Sequence, residues 1–210
     1  MSGRLTNRLF LSAIALAAAL AALLAPAPLG QAQSDPVDSH AGELLVAEPS
    51  MADPRFRQSV ILLVEHNAQG AFGLMVNRPA DEVTWAALLD RLGIDGEAAD
   101  GRVTLFSGGP VQRRSFFLLH DDLDAGAGSR EVGPGIALTG RGEIVQRLAR
   151  GDGPERWRAL LGYAGWGPGQ LRSELRRGDW FTVAADPGLV FAEQPERVWQ
   201  RARDNRAIEL

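Results

Sequence analysis

The sequence predicts an α+β fold, and three observations carry that prediction. Apolar residues alternate with a period of two in some stretches and recur with a helical period in others. One run, residues 60–64, is apolar on both alternating faces, which marks a strand covered on two sides. Strands follow one another in hairpins as well as between helices, unlike a regular βαβ wind.

Taken in order, residues 44–47 read as the first strand, followed by a turn through Asp53-Pro54. Asp before Pro suits an N-cap and a first helical position, so one short helical turn is expected near 54–56. SVILLVEH (59–66) and AFGLMVN (71–77) are strands joined by a four-residue loop, 67–70. That loop would pair His66 with Ala71, Val64 with Gly73 and Val60 with Asn77. TWAALLDRLG has helical spacing at Trp85, Leu88, Leu89 and Leu92, with Thr84 as cap and Gly93 as stop. VTLF (103–106) and SFFLLH (115–120) are strands on either side of a tight turn, Ser107-Gly108-Gly109-Pro110. GIALT is short and extended, and EIVQRLAR is a helix stopped by Gly151.

RWRALLGY is open to either state, but Trp157, Ala159, Leu161 and Tyr163 alternate after a Gly-Asp-Gly-Pro turn, which favours a strand. Residues 168–177 are expected to be a helix with Pro168 first and Gly178 as its stop. Arg172, Arg176 and Arg177 would complement its C-terminal dipole. WFTVAA is a strand, and PERVWQRAR closes the chain as a helix with Val198 and Trp199 inward.

The chain has 210 residues, 45% of them hydrophobic and 23% charged, which suits one substantial core. Every basic residue is Arg, so Schiff-base chemistry and a phosphate loop that needs Lys are excluded. The absence of Cys excludes thiol nucleophiles, thiolate metal sites and disulfides. With three His, a metal site is not expected, and no cofactor is implied.

Arg4 and Arg8, an uncharged run from Leu9 to Ala25, and small residues up to Ala32 make the three-part pattern of a secretory signal peptide over residues 1–32. Pro26, Pro28 and Gly30 break the helix where cleavage needs extended chain, so cleavage near Ala32 and a periplasmic or secreted product are expected. The alternatives are a retained membrane anchor, and a cytosolic protein with a misassigned start. Loss of Arg4 and Arg8 would take the formal charge from −4 to −6. Arg113-Arg114 and Arg176-Arg177 are isolated pairs, so direct nucleic-acid binding is disfavoured on charge. Residues 33–42 read as a flexible linker with His40 solvated, and 43–210 as a single domain.

Three clusters are candidates for a site. At the open end of the first hairpin, Asp53, Arg57, Ser59, Asn77 and Arg78 would gather around a small polar or anionic ligand, with Pro79 holding Arg78 extended. Turn capping and strand ending explain the same residues. His66, about 20 Å along the strand from Asn77, cannot share that site. Gly108 and Gly109 would either expose an anion nest or make a tight turn. Trp166 and Gln170, in GYAGWGPGQL, would stack on a ligand at a helix start or pack over a close strand-to-helix turn. Metal ligands are not predicted. A triad of His120 with Asp121 or Asp122 and a serine has no support from spacing.

These stretches also resemble the YqgE/AlgH family of bacterial proteins. PSMADPRFRQSVILLVEHNAQGAFGLMVNRP, FSGGPVQ, the LLH at 118–120, LARGDGPERW and GYAGWGPGQL fall in the family's order across about residues 44–203. The resemblance implies a mixed, bifurcated β-sheet closing towards a pseudo-barrel, flanked by helices, and a strand at RWRALLGY. It supplies no activity, catalytic residue or cofactor to carry over. One branch is associated by name with regulation of alginate genes, a role that an export signal sets apart from this chain.

The functional expectation is an exported, non-enzymatic binding or interaction domain for a small anionic ligand or a partner protein. The alternatives are a serine hydrolase using Ser59 or Ser107, and a cytosolic transcriptional-regulatory protein.

Overall fold

A computed structural model describes residues 39–208 apart from Ala125, Ala127 and Arg141. The signal-peptide reading of residues 1–32, and the linker up to residue 38, lie outside the described residues. The strands are β1 (Glu43–Ala47), β2 (Val60–Asn67), β3 (Gly70–Met75), β4 (Pro79–Thr84), β5 (Arg102–Ser107), β6 (Val111–His120), β7 (Ser129–Gly133), β8 (Ile136–Thr139), β9 (Trp157–Trp166) and β10 (Trp180–Ala184). The helices are α1 (Trp85–Leu92), α2 (Glu143–Arg150), α3 (Gln170–Arg177), α4 (Pro187–Val190) and α5 (Pro195–Ile208).

The sheet forks at β9. One edge of this ten-residue strand pairs antiparallel with β6. The other edge is divided: Ala159 to Leu161 pair in parallel with β5, and Ala164 to Trp166 pair antiparallel with β3. One prong is therefore β10-β1-β2-β3, the other β5-β4, and the stem runs β9-β6-β8-β7. β7 then leans back on β2, where Arg130 donates to Glu65 at 2.8 Å, curling the sheet into a half-barrel. This is the mixed α+β, bifurcated architecture that the family resemblance implied.

Alternation on β2 explains its depth. Val60, Leu62 and Val64 face the barrel interior, with Leu74, Leu119 and Leu160 and with Leu189 and Val198 from α4 and α5. Ile61 and Leu63 face outward into a second cluster, covered by Leu171 of α3, Met51 and Trp180. Leu62 and Leu63 are both wholly buried, and each such side chain contributes about 1.5–3 kcal/mol. A third cluster packs α1 and α2 on β5 through Leu88, Leu89, Ile144 and Leu105. Thr84 caps α1 by accepting from the Ala87 N–H, and Gly93 ends it in left-handed backbone at φ 64°, as the spacing predicted.

Several local expectations are corrected. No helix forms at 54–56; successive turns occupy Pro54 to Gln58, closed by Phe56 N–H to Asp53 O and Ser59 N–H to Phe56 O. The hairpin loop is shorter than predicted, because Asn67 already pairs with Gly70. His66 does oppose Ala71, but a bulge at Val64 makes Leu63, not Val64, the partner of Gly73. Ser107 to Pro110 does not join paired strands: β5 and β6 lie on opposite edges of β9, so this turn crosses over it. Pro168 precedes α3, with Gly169 at its N-cap in left-handed backbone. The strands β4 and β7 and the short α4 were not predicted; β4 is almost wholly exposed and lacks an inward stripe. His40 is only partly exposed and is held in place: its ring stacks on His66 at 5.6 Å and its backbone N–H donates to His66 Nδ1 at 3.2 Å.

Candidate functional site

The open end of the β2–β3 hairpin brings its predicted residues together. The Asp53 carboxylate accepts the Arg55 backbone N–H at 2.9 Å and its guanidinium at 2.6–3.1 Å. Those side-chain hydrogen bonds hold the Asp53 carboxyl below the usual carboxylate range. Asn77 stands in for a strand backbone, accepting the Val60 N–H at 2.9 Å and donating to Gln58 O at 2.8 Å. Arg78 forks onto the carbonyls of Arg55 and Arg57 at 2.8 and 2.9 Å. This clamp keeps Gln58 at φ 56°, a conformation that non-glycine residues rarely hold. Ser59 is wholly buried and donates to the Met75 thioether at 3.5 Å. Arg57 is exposed, and among the described residues its guanidinium meets no carboxylate.

Gly108 and Gly109 meet the Gly162 bend at the fork. The Gly108 N–H donates to Leu161 O at 2.8 Å and its carbonyl accepts from Met75 at 2.9 Å, so both groups face backbone and not a ligand. A Cβ on Gly108 would lie 2.2 Å from Gly162 O, and one on Gly109 2.1 Å from the Tyr163 carbonyl carbon. Gly162 itself bends β9 at φ 73°. The two glycine motifs are one structure, a backbone crossing with no room for side chains.

Trp166 and Gln170 line a cleft of about 340 Å³ that also takes in Asp53, Phe56, Pro110 and Val111. Residues from all three predicted clusters or their immediate neighbours thus converge there. Glu174 organises its wall: Oε2 accepts both indole N–H groups, Trp166 at 2.8 Å and Trp180 at 2.9 Å, and Oε1 accepts from Gln170 at 2.9 Å. Gln170 Oε1 in turn accepts the Gly167 N–H at 3.1 Å. Ion pairs Asp53–Arg55 and Asp179–Arg177, each at 2.6 Å, form its rim. Sequence reading missed Glu174 and Trp180; the i,i+4 spacing of Gln170 and Glu174 was the available signal.

No catalytic constellation assembles among the described residues. His120 is wholly buried, with Nε2 on Thr139 Oγ1 at 2.9 Å, and burial holds its pKa below the ordinary 6.5. Asp121 pairs with Arg156 at 3.0 Å and Asp122 with Arg147 at 3.2 Å. Neither Ser59 nor Ser107 is hydrogen-bonded to an imidazole. No grouping of three or more His, Asp or Glu suited to a metal ion occurs among the described residues.

Comparisons with known proteins agree with this architecture. The model of the AlgH-like family matches residues 44–210. A UPF0301 protein of Methylococcus capsulatus is 43% identical over 169 residues, 80% of this chain and 92% of that protein. The solution structure of the AlgH protein from Pseudomonas aeruginosa superposes with a TM-score of 0.67 at 38% identity, covering 79% of this chain and 87% of that one. A crystal structure from Corynebacterium diphtheriae gives 0.62 at 26% identity, covering 77% and 84%. The chain belongs to the AlgH-like family.

Proposed function

We propose that this chain is a non-enzymatic binding domain of the cell envelope, and that it recognises a partner protein at the cleft between the 51–56 turn and α3. The observation that carries this reading is the convergence of three distant stretches on one cleft whose wall is held by Glu174. Its lining suits a polypeptide segment of mixed character: apolar Phe56, Pro110 and Val111 lie beside hydrogen-bonding Gln170 and ion-paired rim residues. Both rim arginines already have carboxylate partners, which disfavours a lone anion there.

A photo-crosslinking residue at Val111, itself 36% exposed, tests the proposal in native cells. One discrete partner captured from Val111, and not from the same residue at exposed Glu143, is the expected result. Capture at both positions, or at neither, refutes it. The envelope location is checked by mass spectrometry of the native N-terminus; a start at Gln33 in the periplasmic fraction is expected.

A second reading, a small anion at the hairpin's open end, draws support from Arg57, the exposed guanidinium there that has no carboxylate partner among the described residues. Under this reading, titration calorimetry against envelope metabolites shows binding that Arg57→Ala abolishes.

A further inference from the structure

We infer that a second cleft, between α1 and a bulge in β6, binds a single-chain acyl anion. This site is independent of the partner cleft. It has a volume of about 340 Å³ and a floor that includes Leu92, Leu105 and Leu161, with Arg91, Arg113 and Arg114 also lining it. Leu105 is almost wholly buried in the third apolar cluster, so the cleft opens onto core and not onto a polar surface. Its size lies within the range of small-molecule sites, roughly 300–1,000 Å³.

The arginines give the ligand its charge. Among the described residues, none of the three pairs with a carboxylate, although arginines elsewhere commonly do. They converge on one cleft in a chain of net charge −4. Guanidinium forks match a carboxylate. A leucine floor beside a cationic rim is complementary to an alkyl chain that ends in a carboxylate.

The bulge holds two of these arginines in place. Val111 pairs with Tyr163 and Phe116 with Leu161, so residues 112–115 loop out of register. Gln112 takes left-handed backbone at φ 43° and its Oε1 accepts the Ser115 hydroxyl at 3.1 Å. Behind it, the Arg113 Cα sits 3.2 Å from where a Gly162 Cβ would be. Strained backbone held by its surroundings is a feature of ligand sites. Arg91 approaches from a different element, the last turn of α1.

The test is calorimetric titration of decanoate into the full chain, purified without detergent. Saturable binding at one site is expected, with the neutral analogue decanol and inorganic phosphate each weaker by about tenfold or more. Arg113→Gln with Arg114→Gln is expected to weaken decanoate by about tenfold or more, with an unchanged urea midpoint because both side chains are exposed. Arg91→Gln, outside the bulge, is expected to weaken it too. No saturable binding, equal affinity for decanol or phosphate, unaffected variants, or association only with anionic phospholipid vesicles would each overturn the inference.

Discussion

The glycine crossing at β9 and the open end of the β2–β3 hairpin are both dense with residues that sequence reading associates with ligands. Both are occupied by backbone, through different physics. At the crossing, the backbone of Gly108 and Gly109 lies against that of Gly162 and Tyr163, and a single methyl group has nowhere to go. At the hairpin, Asn77 and Arg78 supply side-chain atoms in place of missing strand partners, and water can replace part of what they do. The first region is intolerant for steric reasons. The second is held by hydrogen bonds, and its outer members are replaceable.

The largest effect is expected at the crossing. Gly109→Ala should cost about 3 kcal/mol or more, or prevent folding, because the new Cβ meets backbone and cannot move aside. Urea unfolding measures this, and a loss below about 1 kcal/mol would show that the crossing can open. Asn77→Ala is expected to cost about 1–2 kcal/mol, since it leaves the N–H of wholly buried Val60 without its acceptor. A variant as stable as the parent would mean that the turn finds another cap.

The closed end of the same hairpin responds to pH. His66 accepts the His40 N–H on Nδ1, and burial first, then His40, lowers its pKa below 6.5. His120 is lowered in the same direction by burial. In the unfolded chain both rings take up protons first as pH falls. The stabilisation is therefore whole above pH 6.5 and drains as pH falls through the lowered folded-state values. Urea midpoints should drop between pH 7.5 and pH 5.5, and His66→Gln together with His120→Gln should flatten that slope. A slope unchanged in the double variant would show that neither ring carries it.

The smallest effect is expected at the outer edge of the open end. Asp53→Asn should leave the urea midpoint essentially unmoved at physiological salt, because its Arg55 partner is exposed and screened by solvent. A marked loss would place Asp53 with Asn77 in the clamp and blur the contrast between the two regions.

Most strands and helices were legible because their apolar period is local: both faces of β2, the cap and stop of α1, and the alternation along β9 can be read within ten residues. β4 was not legible, since Pro79 to Thr84 carries one buried residue and owes its extension to pairing with β5. The bulge at Val64 was also hidden, because an apolar run offers no mark for an extra residue. Of the candidate site, Trp166 and Gln170 could be singled out by position. Glu174 was marked only by its i,i+4 spacing from Gln170, since its role depends on Trp180 arriving from β10.

Sequence alone determined the α+β class, the two-sided burial of β2, and the exclusion of thiol and lysine chemistry, because these follow from residue type and short-range period. Family membership was legible too, in long motifs kept in order. Tertiary structure decided which of those motifs remain open to a ligand. FSGGP and GYAG lie more than fifty residues apart and are locked together only because β5 and β6 take opposite edges of β9. Arg78 is turned to carbonyls only because the 53–58 turn folds over it. A polar side chain's availability depends on which backbone groups need it, and that need is set by strand pairing far along the chain.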